Sequence, residues 1–251
     1  MKLTKMHDRW AAGKPALNGW CSIPSTVTAE IMSNHDYDSL TIDLQHGLVD
    51  YQTALTMLQA MNASGITPMA RVPWNEPGII MKLLDAGCLG IICPMINTAE
   101  DAAAFVGAMR YAPDGYRSSG PTRAIMVHGA DYHHQANETL VSMAMIETVE
   151  AFGNVDTICA TEGLTGLYVG PSDLAVSMGH NPGLDRQEED VDAAIGKILE
   201  TAKKHGLKAG IHCGSPDYLK SAYERGFDFA TIASDIRLIG QAIAMNINAI
   251  R

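Results

Sequence analysis

The feature that most constrains this chain is an alternation. Eight short apolar or β-rich runs, at 19–23, 39–43, 68–72, 90–93, 142–146, 166–169, 208–212 and 229–232, read as strands. Between them lie stretches with apolar residues three and four apart, such as 51–61, 78–86, 99–109, 189–205 and 217–225, which read as amphipathic helices. Glu100 and Asp101 near the start of one stretch, and Lys203, Lys204 and His205 near the end of another, match the helix dipole. Eight βα units in 251 residues predict an α/β fold, a closed parallel (β/α)8 TIM barrel formed by residues 1–251 as one domain. An open doubly wound sheet is the alternative that composition alone does not separate. No GxGxxG follows the first run, which argues against a dinucleotide fold. The stretch 112–137 reads as a long irregular loop of the kind that carries function or an interface.

With 47% hydrophobic and 18% charged residues, the chain can bury a large core, so disorder is excluded as its main state. The 14 methionines read mostly as core filling. Its longest apolar runs, such as CLGIICPM at 88–95, fall far short of the roughly 20 residues a membrane helix needs. The opening MKLTKMHDRW is polar and has no signal-peptide core, so a cytoplasmic location is expected, with no membrane partner. Eighteen basic against 28 acidic residues, without a basic stripe, speak against nucleic acid. Cys21, Cys88, Cys93, Cys159 and Cys213 are odd in number, irregularly spaced and without CxxC, which points to reduced thiols.

In a parallel barrel the active site lies where the strands end. Those ends carry Asp43, Gln45 and His46, then Arg71, Glu147, Gly170-Pro171-Ser172-Asp173 and His212. Charges that follow apolar runs are costly to bury unpaired, so these groups are expected to face one another. Glu147 and Asp173 suit a divalent cation, Mg2+ or Mn2+ with Co2+ also admissible; each is equally compatible with an arginine partner or a helix cap. Arg71 can grip a carboxylate or steady a developing oxyanion, and can also pair with Asp43. His46 is the general-base candidate, with Asp85 available to orient it. The turn GPSD (170–173) can hold a carboxylate through backbone N–H groups, or serve only as a tight turn. Trp20 and His212 are expected to contact substrate.

The segments IDLQHG (42–47), ARVPWNEPGIIMKLLDAGCLGIICPMINTAEDA (70–102), YAPDGYR (111–117), MIET (145–148) and GPSDLAVSMG (170–179) together closely resemble the HpcH/HpaI aldolase family over nearly the whole chain. That resemblance implies a class II pyruvate aldolase on a (β/α)8 barrel, a homohexamer built as a trimer of dimers with the last helix exchanged between subunits. It places Glu147 and Asp173 on the metal-binding acids and Arg71 on the arginine that contacts the pyruvyl oxygen. His46 falls on the catalytic base, Asp85 on its acidic partner supplied across a subunit contact, and Asp43 on a further site acid. The backbone at Ser172 and Asp173 matches the stretch that receives the substrate carboxylate. Three departures stand out: Gln45 where many relatives have Glu, Met145 where they often have Gln, and His212 at a position apolar in some. These bear on aldehyde specificity.

The expected reaction is reversible cleavage of a 4-hydroxy-2-oxo acid to pyruvate, or a close 2-oxo acid such as hydroxypyruvate, and an aldehyde. Semialdehydes, lactaldehyde, glyceraldehyde-type sugars and glycolaldehyde all fit the motifs, and a place in aromatic or sugar-acid catabolism follows. A Schiff-base aldolase needs a lysine at the barrel mouth, whereas Lys208 begins a strand and Lys82 lies in a helix. A related lyase acting on an acyl thioester and a non-catalytic barrel protein are the remaining alternatives.

Overall fold

The computed structural model describes residues 4–251. Strands β1 (Ala16–Cys21), β2 (Ser39–Asp43), β3 (Thr67–Arg71), β4 (Gly90–Cys93), β5 (Val141–Ile146), β6 (Gly166–Val169), β7 (Lys208–Cys213) and β8 (Phe229–Ser234) pair in sequence order and close into a parallel barrel. Closure is made by β1 on β8, with a register shift between Asn18 and Trp20. All eight anticipated runs are strands. The first lies earlier than its apolar run suggested, from Ala16, because Leu17 and Ala16 join the sheet ahead of Gly19. Helices follow the strands and cover the barrel, and side-chain caps mark the starts of several. Thr98 and Asp101, for instance, form a reciprocal capping box at helix Ala99–Met109.

Period-two alternation sorts the side chains. Leu40, Ile42, Ile91, Ile146, Leu167 and Ile211 point outward and join the buried layer beneath the helices. Inside the barrel, Met69, Ile92, Met143, Tyr168 and Phe229 pack as a second core. Space for these large groups comes from glycines. A Cβ on Gly210 would lie 2.9 Å from both Phe229 and Tyr168, and one on Gly90 would lie 2.7 Å from Met69. Polar inward residues are tied together. Asn18 donates to Thr231 at 2.8 Å and accepts from Ser39 at 2.8 Å and Thr41 at 3.1 Å, while the Tyr168 hydroxyl donates to Thr231 at 2.7 Å. This network satisfies groups that would otherwise be buried without partners.

The stretch 112–137 is not an irregular loop. It contains helix Thr122–His128 and most of helix Tyr132–Thr139. Neither has a side-chain cap, and the second carries the polar sequence YHHQANET, so the usual start signal and apolar period are both missing. Tertiary contacts stabilise them instead: Tyr132 and Ala136 are fully buried, and Arg123 reaches the Ala86 and Leu58 carbonyls. Among the described residues no helix is long and apolar enough to cross a membrane. All five cysteines are free and buried.

Candidate active site

The inward alternation of β2 and β3 ends on Asp43 and Arg71, which are paired in register. Arg71 Nε donates to Asp43 Oδ1 at 2.8 Å and Nη2 to Oδ2 at 2.6 Å, a two-pronged pair that is almost fully buried. Asp43 accepts further bonds from Trp20 Nε1 at 3.2 Å and from the backbone N–H groups of Gln45 and His46. Burial works to raise the Asp43 pKa, but the hydrogen bonds and charge of Arg71 outweigh it and hold the carboxyl below its usual range. With both oxygens engaged, Asp43 is placed to position its neighbours. The Arg71 guanidinium also lies 4.8 Å from the Trp20 ring centroid, so its plane is fixed from two sides. Its Nη1 forms no hydrogen bond among the described residues, and that N–H pair is free for a ligand.

Glu147 continues the inward phase of β5 one step beyond Ile146. It is 2% exposed, and its Oε1 accepts the Met95 N–H at 2.8 Å. Met95 adopts φ 55°, a left-handed conformation unusual for its residue type, which turns this N–H toward Glu147. Burial, then the nearby charge of Asp173, pushes the Glu147 carboxyl up to about 7, against the Met95 bond and Arg71. Oε2 faces Gly170, where an added Cβ would come within 2.7 Å of it. Glycine at 170 therefore keeps that oxygen clear. Asp173 is exposed in the first turn of helix Pro171–Ser177, an end with no side-chain cap. A buried carboxylate with one free oxygen and no salt-bridge partner, close to a solvent-facing one, suits a divalent cation.

His212 is partly buried at the end of β7, where it meets the Tyr168 hydroxyl at 3.1 Å through Nδ1 and the Trp20 ring edge-on at 4.9 Å. Burial first, and the Arg71 charge second, push its pKa down to about 4, so it is neutral near pH 7. Met145 reaches Gly170, where an added Cβ would lie 3.1 Å from its methyl, and gives the wall beside Glu147 an apolar surface. The buried Gln45 Oε1 has no hydrogen-bond partner. Gly170, Pro171 and Ser172 run from β6 into the following helix, as the motif implied.

Two residues lie apart from this group. His46 is exposed beyond β2, and its side chain makes no hydrogen bond among the described residues. Asp85, at the end of helix Pro77–Asp85, accepts from Arg117 at 2.6 Å rather than from His46. Arg117 is itself buried, bonded to the Tyr132 hydroxyl at 3.1 Å and stacked on Tyr111. Sequence reading missed Met95, Tyr168 and Arg117. Met95 and Arg117 lie inside the segments that carry the resemblance, but a backbone N–H and contacts formed only by folding gave them no assigned role. Lys208 opens β7 and lies over Trp10, far along the strand from the mouth, so it offers no Schiff-base nucleophile there.

Comparison with known proteins places this barrel in a family. The HpcH/HpaI aldolase/citrate lyase family model matches residues 20–242. The chain belongs to that family. It is 42% identical over 96% of its length to a hydroxypyruvate/pyruvate aldolase of Rhizorhabdus wittichii, covering 96% of that protein. It is 34% identical over 95% of its length to a 5-keto-4-deoxy-D-glucarate aldolase of Klebsiella pneumoniae, covering 93% of it. Among solved structures, a family member from Burkholderia cenocepacia J2315 matches with a TM-score of 0.88 and 31% identity, covering 94% of this chain and 95% of that one. Family membership makes the chain a carbon–carbon lyase of the aldolase type, as the sequence resemblance implied.

Proposed function

We propose that this enzyme reversibly cleaves 4-hydroxy-2-oxo acids to pyruvate or hydroxypyruvate and an aldehyde, with a divalent cation held by Glu147 and Asp173. The observation that supports it most is the pairing of a rigid, half-free Arg71 with a buried carboxylate whose Oε2 has no protein partner. Bound there, Mg2+ or Mn2+ would supply positive charge that draws electron density from the 2-oxo group.

The chain's own residues do the rest. Arg71 Nη1 donates to the 2-oxo oxygen and stabilises the charge that gathers on it as the C3–C4 bond breaks. Asp43 and Trp20 hold the guanidinium in place, so little reorganisation is needed when charge develops. The uncapped backbone at Ser172 and Asp173 receives the substrate carboxylate. His46 takes the proton of the 4-hydroxyl group, releasing the aldehyde, and the three-carbon enolate is then protonated. Asp85, fixed by Arg117, orients His46 of a neighbouring subunit. Trp20 and neutral His212 line the mouth where substrate enters.

Such sharing requires an oligomer, and a hexamer with an exchanged last helix in the cytoplasm is the form proposed. The helix Asp235–Asn248 supports it, carrying Ile236, Ile239, Ile243 and Ile247 exposed along one stripe. The deciding experiment is an assay of 4-hydroxy-2-oxo acids for pyruvate release. Chelator treatment should abolish turnover, and added Mg2+ or Mn2+ should restore it. Turnover that persists after exhaustive chelation would refute the cation's role.

A further inference from the structure

Beside the mouth lies an open cavity of about 470 Å3 that shares only Ser172 with the steps above. Its walls come from the ends of three neighbouring strands. Ser172 follows β6, Gly214 follows β7 and Arg237 follows β8, while Gly183 and Asp185 close it from a surface loop. Barrel enzymes often bind anionic groups at the loops after their last two strands, where backbone N–H groups and helix starts converge.

The charges in this cavity are arranged unequally. Arg237 is exposed and makes no hydrogen bond or ion pair among the described residues. Two carboxylates lie near it in the fold, and both accept backbone N–H groups. Asp185 Oδ1 accepts the Gly214 N–H at 2.6 Å. Asp235 accepts the N–H groups of Ser22 at 2.9 Å and Ile23 at 3.1 Å. Gly214 permits this closure, since an added Cβ would meet Asp185 and Leu184 at 3.2 Å. Arg237 thus forms no ion pair among the described residues, although Asp185 shares the cavity with it. The Ser172 hydroxyl accepts from Gly183 N–H at 3.2 Å and keeps its own proton to donate.

The cavity adjoins the reaction centre through two chain neighbours. Ser172 precedes Asp173, and Gly214 follows His212 by two residues.

We propose that Arg237 is a specificity-determining residue that anchors a carboxylate or phosphate on the aldehyde half of the substrate, in the cavity it shares with Ser172, Gly183, Asp185 and Gly214. The proposal rests on the aldolase reading above. Its test is pyruvate addition by wild type, R237A and R237K to two neutral aldehydes, butanal and glyceraldehyde, and two anionic ones, succinic semialdehyde and glyceraldehyde 3-phosphate. R237A should raise KM for an anionic acceptor about tenfold or more, as loss of a charge-assisted bond does, while neutral acceptors change less than about twofold. R237K should recover part of the loss, and the two anionic acceptors show whether carboxylate or phosphate is preferred. Equal changes for neutral and anionic acceptors, or none, would overturn the proposal. Calorimetric titration with succinate and inorganic phosphate separates it from the aldolase reading. Should wild type convert no aldehyde, that reading fails, whereas anion binding lost in R237A still supports the anchor. Absence of binding to wild type refutes it.

Discussion

Arg71 carries two jobs on one side chain, and its variants should separate them. Arg71→Ala removes the donor to the developing oxyanion, expected to lower kcat by about 10²–10³, or about 3–4 kcal/mol. It also leaves Asp43 buried without its partner, which costs about 3–5 kcal/mol of stability. Turnover and thermal unfolding measured on one preparation distinguish the two, and near-normal kcat in a folded variant removes Arg71 from the mechanism. His212 gives a pH signature of its own. Its pKa is about 4 when folded against 6.5 in the open chain, so between these values the unfolded state binds more protons. Stability from this group is therefore full above about pH 6.5 and falls as pH drops toward 4, by roughly 1–3 kcal/mol. Denaturant titrations at pH 7 and pH 5 should show His212→Phe losing less stability than wild type over that interval; an identical loss would contradict it.

Among the elements, helix Asp235–Asn248 carries an apolar stripe that stays exposed in a single chain. Ile243, 54% exposed, lies mid-stripe. Ile243→Asp should leave the barrel folded by circular dichroism and shift the particle toward the monomer in light scattering. An unchanged mass would argue that the helix takes no part in assembly. Strand phase was the most legible feature of the sequence, since alternation places Asp43, Arg71 and His212 inward without any further information. Glu147 and the Gly170–Asp173 turn were legible for the same reason, lying just past strand ends. The helices within 112–137 were not, because Tyr132 is buried by folding rather than by an apolar period. The Asp85–Arg117 bond spans 32 residues, and no local rule reaches that far. Met95 escaped because its contribution is a backbone N–H aimed by an uncommon φ.

At the scale of the molecule, the barrel separates a scaffold from a reaction end. Helices and outward side chains form one packed layer, inward side chains a second, and the chemistry occupies the rim above both. The hydrogen-bonded set of Asn18, Ser39, Thr41, Tyr168 and Thr231 lies directly beneath that rim, over Met143 and Phe229. Among the described residues the inward side chains fill the axis, so the site is a blind alley with a single door. Whatever rests deepest must arrive first and depart last. For cleavage this means that the aldehyde escapes before the three-carbon acid. Product inhibition should then be competitive by pyruvate and noncompetitive by the aldehyde, and the reverse pattern would show that traffic follows another route.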